Sequence, residues 1–208
     1  MKKLISLFAM VIFMTGFIMA QNSAETIQEG ENNSGEQTQE GSDNDATIHQ
    51  GDFKGEGGNM NVQNEGKAIQ KQLGDDNKGV IHQRSGSWGS GNFSEQFQEG
   101  DRNDATVIFY NMMNHSEQMQ YGEDNTSFGQ VSGSNNVLKT NQDGDRNWAK
   151  TRLLGSSYSE GHTTQEGNDN KGQIESTGTE NYGEIYQVGD YNIAEVEQEG
   201  HDNEAEVD

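Results

Sequence analysis

Between Gln98 and Asn147 one phrase returns at a fixed step: Gln98-Glu99-Gly100-Asp101-Arg102-Asn103, Gln120-Tyr121-Gly122-Glu123-Asp124-Asn125, then Gln142-Asp143-Gly144-Asp145-Arg146-Asn147. The step is 22 residues, and a fainter copy lies midway each time: Gly133 to Asn136 keeps Gly and Asn, and Asn111 to Asn114 keeps Asn alone. The true unit is therefore half that step, paired into a stronger and a weaker copy. A short exact period is the mark of a stacked architecture, in which no unit can bury its own face.

The grid extends in both directions. Asn22, Asn33 and Asn44 open the first three units in the form Asn-x-Ala-x-x-x-Gln-x-Gly, with Gln28, Gln39 and Gln50 and with Gly30 and Gly41 in the matching slots. In the third unit Asn44, Ala46, Ile48 and Gln50 alternate with Asp45, Thr47 and His49, the pattern of a strand with one buried and one solvated face. From Gly51 to Gly66 the phrase decays, although Asp52, Gly55, Asn61, Gln63 and Gly66 keep the phase, and it returns with Gln72, Gly74 and Asn77. A four-residue insertion falls around Ser85 to Ser90, with Trp88 marking a bulged turn, and one extra residue falls near Tyr158 to Thr164. Gln165-Gly167-Asn170, Gln187-Gly189-Asn192 and Gln198-Gly200-Asn203 complete the series.

The expected fold is all-β: a solenoid of strand-turn-strand repeats, about 22 residues per layer and 11 per half, that forms cross-β amyloid fibres when assembled. Gly supplies the positive φ or close backbone approach of each turn, and Asp and Asn beside it suit the same turn. Seventeen units predict about eight layers. Each slot meets its equivalent in the next layer, so Gln and Asn amides can bond along the axis and satisfy one another in an otherwise apolar interior. Ala105, Ala149 and Ala194, with Val107, Ile174 and Val196, are expected to fill the thin space between sheets, and Val107-Ile108-Phe109-Tyr110, high in β-propensity and low in charge, reads as a buried hydrophobic rung or as a driver of assembly.

Composition bounds the function. The 208 residues are 28% hydrophobic with 27 Gly, no Pro and no Cys, and a net charge of -22. Without the repeat this would read as disorder. Acidity excludes a nucleic-acid partner, since phosphate contacts need clustered Lys and Arg, and the lack of Cys excludes a disulfide-stapled scaffold. Residues 1–20 read as a secretory signal peptide: Lys2 and Lys3, an apolar run from Leu4, and cleavage after Ala20. That leaves 21–208 as one repeat domain without an integral membrane segment.

No carboxylate cluster has the separations of a glycosidase pair, the histidines show no metal spacing, and no cofactor or enzyme activity is expected. His49 and His82 fall on equivalent outward slots and read as solvated; Trp148 and Tyr182 point outward beyond turn asparagines. Glu25, Glu36, Asp45, Asp104, Glu195 and Glu197 also alternate outward, so either stacked like charges make assembly faster in acid or raised salt, or the charges simply keep a secreted protein soluble. The acidic turns at Gly74-Asp75-Asp76 and Gly144-Asp145 support one alternative, a calcium-binding β-roll or other secreted solenoid binding protein, although that repeat runs about nine residues. An ice-binding solenoid would need a regular Thr array, and the outward slots are mixed and acidic.

The pattern resembles the curlin repeat of curli, the extracellular amyloid fibres of Gram-negative biofilms, whose motif is Ser-x5-Gln-x-Gly-x-x-Asn-x-Ala-x3-Gln. Gln98, Gly100, Asn103 and Ala105 match it, as do Gln187, Gly189, Asn192, Ala194 and Gln198; Gln28, Gly30, Asn33 and Gln39 match with Gly35 in place of Ala. Asn commonly replaces the motif Ser, the far Gln becomes Phe109, Val131, Leu153 or Ser176, and no counterpart of the family's non-repeat leader is expected after Ala20. The resemblance implies a secreted structural subunit at the cell surface that polymerises with itself for adhesion and biofilm matrix. It also implies a nucleator or major-curlin partner, a secretion pore and accessory chaperones. The residues expected to carry self-assembly are the ladder slots Asn22, Gln28, Gly30, Asn33, Gln39, Gly41, Asn44, Gln50, Gln72, Gly74, Asn77, Gln98, Gly100, Asn103, Gln120, Gly122, Asn125, Gln142, Gly144, Asn147, Gln165, Gly167, Asn170, Gln187, Gly189, Asn192, Gln198, Gly200 and Asn203.

Overall fold

Alternating side chains and the short repeat give strands mostly of six or seven residues, most often separated by four-residue turns, and the chain closes a flattened coil at every second turn. The computed structural model describes residues 21–29, 32–51, 65–84, 91–178 and 180–207. The strands are β1 (Ser23–Gln28), β2 (Ser34–Glu40), β3 (Asp45–Gln50), β4 (Lys67–Leu73), β5 (Lys78–Gln83), β6 (Phe93–Glu99), β7 (Asp104–Phe109) and β8 (His115–Tyr121). They continue as β9 (Thr126–Ser134), β10 (Val137–Asp143), β11 (Trp148–Ser157), β12 (Glu160–Glu166), β13 (Lys171–Thr177), β14 (Tyr182–Val188), β15 (Ile193–Glu199) and β16 (Glu206–Val207).

Odd strands form one eight-stranded sheet and even strands another, each in chain order, and every pairing is parallel. The all-β solenoid read from the period is the fold observed. Seven steps of about 4.8 Å give a stack roughly 34 Å tall. Along β3 the inward residues Ala46, Ile48 and Gln50 are buried and the residues between them are not. Phe109, Val131 and Leu153 stack in register and join Ile48, Ile81, Val107 and Leu138 in the main apolar cluster. A second cluster, Ile174, Ile185, Ala194 and Val196, lies at the C-terminal end. Val107 and Phe109 are buried in this rung, while Ile108 is half-buried and Tyr110 is 37% exposed.

Two details of the grid need correction. Lys78 pairs with Asp45 and Lys67 with Ser34, each a step of 33 residues. β3 and β5 are hydrogen-bonded neighbours, as are β2 and β4, so consecutive layers here lie one 11-residue unit further apart in sequence than elsewhere, and sixteen strands build the stack among the described residues where seventeen units were expected. Its slots at Asp52, Gly55, Asn61 and Gln63 lie outside the described residues. The extra residue expected near Tyr158 sits earlier: β11 shifts register between Leu154 and Ser156, which makes Gly155 (φ +68°) the inserted residue of a β-bulge. The four-residue insertion stands, since Phe93 pairs with Lys67 across a step of 26 residues. Residues 85–90, with Trp88, lie outside the described residues, as does the expected signal peptide.

Candidate self-assembly site

Each turn is built by three neighbouring backbones. Gly41, Gly74, Gly100, Gly122, Gly144, Gly167, Gly189 and Gly200 have φ between +101° and +119°. A Cβ at Gly100 would lie 2.1 Å from the Gly122 carbonyl oxygen of the next layer, so conformation and close approach both demand glycine. Gly30 lies outside the described residues. Two residues after the glycine slot the chain turns left-handed at a residue of almost any type, among them Arg102 (φ +59°), Asp124 (φ +58°) and Tyr191 (φ +60°).

The asparagine that follows fastens each turn to the next layer. Asn103 donates from Nδ2 to the Gly122 carbonyl at 2.8 Å, and its Oδ1 accepts the Asn125 N–H at 3.0 Å. The same pair of bonds links Asn22, Asn44, Asn77, Asn125, Asn147 and Asn170 to the layers after them, ending at Asn192. At the opposite turns Asn33 accepts the Gly66 N–H at 3.0 Å, and Asn92, Asn114, Asn136, Ser159 and Asn181 form a shorter column. Asn192 and Asn203 instead donate Nδ2 to the carbonyls of Val188 and Glu199, in their own turns.

Glutamine makes amide columns inside the stack. Gln39, Gln72, Gln98, Gln120, Gln142, Gln165 and Gln187 each donate Nε2 to the Oε1 of the next, at 2.8–2.9 Å. Their second N–H crosses to the facing sheet, as from Gln120 to the Asp104 carbonyl at 3.1 Å. In the odd-strand sheet Gln28, Gln50 and Gln83 form the same chain, after which Phe109, Val131, Leu153 and Ser176 take the slot. Gln198 resumes it, donating to the Tyr182 carbonyl. Every bond in these columns points the same way, from the N-terminal layer to the C-terminal one.

The sequence reading missed a column. Gln37, Gln70, Gln96 and Gln118 bond Nε2 to Oε1 at 2.7–2.9 Å. The signal was a recurrent Gln-x-Gln, with Gln96-Phe97-Gln98 and Gln118-Met119-Gln120 as instances. It also missed the role of the turn acids: Asp75 accepts the Ser42 N–H and hydroxyl, both at 2.8 Å, and Asp145 accepts the Glu123 N–H at 2.9 Å. Those donors hold the Asp75 carboxyl below its ordinary range. The acidic turns that suggested calcium therefore bind neighbouring backbone.

Outward, the six acids expected in like-charge columns mostly face other residue types, which corrects that expectation, although Glu95 pairs with Glu117 and Asp143 with Glu166. Asp45 and Asp104 flank Lys78, Glu25 faces Thr47 and Glu36 faces Ile69. Of the six acids named above, only Glu197 is paired with another carboxylate, Glu175. Arg102 grips both carboxylate oxygens of Asp124 at 2.8 and 3.0 Å, and Arg146 those of Asp169, both at 2.8 Å. The guanidinium in each pair lowers the aspartate's pKa. His49 and His82 stack at 4.8 Å, half-buried, where solvated rings were expected. Burial, then the charges of His49 and Arg84, push His82 down to about 4. Lys171 Nζ lies 5.1 Å from the Trp148 ring, and Tyr182 meets His162 edge-on while its hydroxyl donates to Glu184.

The curlin associated repeat model matches residues 21–51 and 178–208, the two ends of the stack. Those two stretches are similar to the curlin associated repeat. No curated protein matches it. In these end repeats the strands are more open than in the middle: every side chain of β1 and β2 is at least partly exposed, and the outward slots of β15 are all exposed.

Proposed function

We propose that this protein is a secreted structural subunit that polymerises with itself, layer on layer, into curli-like amyloid fibres of an extracellular matrix. The observation that carries this reading is the match between the two ends. The inward slots of the last layer, Asn192, Ala194, Val196 and Gln198, are of the same kinds as those of the first, Asn22, Ala24, Thr26 and Gln28. Parallel strand edges with such slots are templates for a further strand. The Asn, Gln and Gly slots are the working residues, as hydrogen-bond columns continued from one copy into the next. Export through the signal peptide, a surface location, adhesion, and nucleator, pore and chaperone partners follow from the curlin-repeat resemblance.

Fibre diffraction on residues 21–208, incubated quietly at micromolar concentration, tests the reading. The expected result is unbranched fibres with a meridional reflection near about 4.8 Å. A chain that stays monomeric overturns it, and one that folds only on adding calcium favours the β-roll.

A further inference from the structure

All of the chain's 13 Lys and Arg residues avoid the ends of the repeat domain: none occurs from Gln21 to Phe53, and none after Lys171. In the central layers several outward carboxylates have cations. Lys78 lies 3.9 Å from Asp104, Lys139 lies 3.7 Å from Glu117, and Glu175 meets both Lys150 and Arg152. The end layers carry carboxylates without them.

Continuing the observed register by one step past β15 and β16 seats a second copy's β1 and β2 on them. Inside, the step is complementary along the odd-strand sheet, where Gln28 on Gln198 repeats the Gln28–Gln50 step and Thr26 on Val196 repeats the packing of Thr26 on Ile48; along the even-strand sheet it sets Gly35 on Ala205 and Gln37 on Val207. Outside, the same step sets Glu25 on Glu195 and Glu29 on Glu199 along one face, and Glu36 on Glu206 along the other. Each pair stands about 4.8 Å apart, where like charges oppose pairing. The groups facing these six are known. Glu25 lies 3.7 Å from His49, Glu195 accepts from Gln173 at 2.9 Å, Glu199 pairs with Thr177 and Glu36 with Ile69. Glu29 adjoins the strand of Gln50, and Glu206 pairs with a further carboxylate, Glu184. Among the described residues none of the six has a Lys or Arg partner.

We infer that the end-to-end joint is a charge gate: its inner slots accept a second copy, and three stacked glutamate pairs hold the copies apart until protons or cations discharge them. The inference rests on the self-assembly reading above and locates its control at the joint instead of in the net charge of the chain.

Elongation from sheared seeds of the same chain, at fixed ionic strength, tests it. The wild-type rate should rise about tenfold from pH 7.5 to pH 4.5, the factor equivalent to about 1.4 kcal/mol across the joint. Added millimolar calcium at pH 7.5 distinguishes bridging cations from protons as the discharging agent, and an increase with either supports the gate. The triple variant Glu25→Lys, Glu29→Lys, Glu36→Lys turns each pair attractive, so its seeds should elongate faster at pH 7.5 than at pH 4.5, reversing the sign. A control triple away from the joint, Glu95→Lys, Asp143→Lys, Glu166→Lys, makes the same change in net charge and should keep the wild-type sign. Reversal in the control, or wild-type behaviour in the joint triple, overturns the gate. Fibres whose elongation ignores pH and calcium overturn it alone, whereas no fibres under any condition overturn the self-assembly reading with it.

Discussion

The two sheets treat the same slot differently. In the even-strand sheet the glutamine column runs unbroken from Gln39 to Gln187, through β2 to β14. In the odd-strand sheet it stops at Gln83, and Phe109, Val131 and Leu153 replace it with an apolar plug. A buried slot in a parallel stack can therefore be polar or apolar, provided the choice agrees with the layers on either side. A lone Gln among apolar neighbours leaves amide groups unpaired, and a lone apolar residue among Gln orphans two amides.

The largest expected effect comes from breaking the unbroken column. Gln120→Leu removes the acceptor for Gln98, the donor to Gln142 and the bond to the Asp104 carbonyl. It should cost about 2–4 kcal/mol, read as the urea midpoint of fresh monomer. Phe109→Gln attacks the plug from the other side and should cost about 2 kcal/mol. Adding Val131→Gln and Leu153→Gln should less than double that loss, because each new amide pairs with the one before it; a strictly additive loss would show that amide pairing does not govern the slot.

Acid should loosen the odd-strand sheet next. The pKa of His82 is depressed in the fold, so the unfolded chain binds the extra proton first. The stability due to neutral His82 is present above about 6.5 and is lost as pH falls toward 4. Discounted for the ring's remaining contact with water, the loss is about 1–2 kcal/mol. An NMR titration of His82, set against the urea midpoint over that range, checks it, and His82→Phe should flatten the dependence.

Gln118→Leu should cost less, about 1 kcal/mol, because it ends its column: Gln96 keeps the Val80 and Ala105 carbonyls as acceptors, and only the Thr106 carbonyl and the rotatable Ser127 hydroxyl lose a donor. A loss as large as that of Gln120→Leu would mean that amide stacking outweighs the cross-sheet bonds. The smallest change is expected from Arg102→Gln, whose partners are solvent-exposed. Its effect on the midpoint should vanish in high salt.

Much of this was legible beforehand, for a physical reason. A solenoid repeats its constraints at every layer, so Gly at the close approach near Gly100 and Asn at the turn near Asn103 recur in the sequence as they do in space. What escaped was whatever the turn backbone accepts from many residue types. The left-handed position takes Arg102, Met113, Asp124 and Tyr191 alike, and leaves no period to read. The bulge at Gly155 hid because a glycine already stood in the repeat's glycine slot. The long step from β3 to β5 kept the phase because 33 residues is a whole number of repeat units, so periodicity could not separate it from the ordinary step. The outward charges were misjudged because the step from one layer to the next varies along the chain, and it is known only after the insertions are placed.

The one-way donation along every glutamine column has a final consequence. The column dipoles add instead of cancelling, so a fibre made by repeating this chain is a vector, with a donor end and an acceptor end that differ in chemistry. Two such fibres meeting tip to tip can fuse in one of the possible encounters only, and each tip would have its own rate of growth and its own inhibitor.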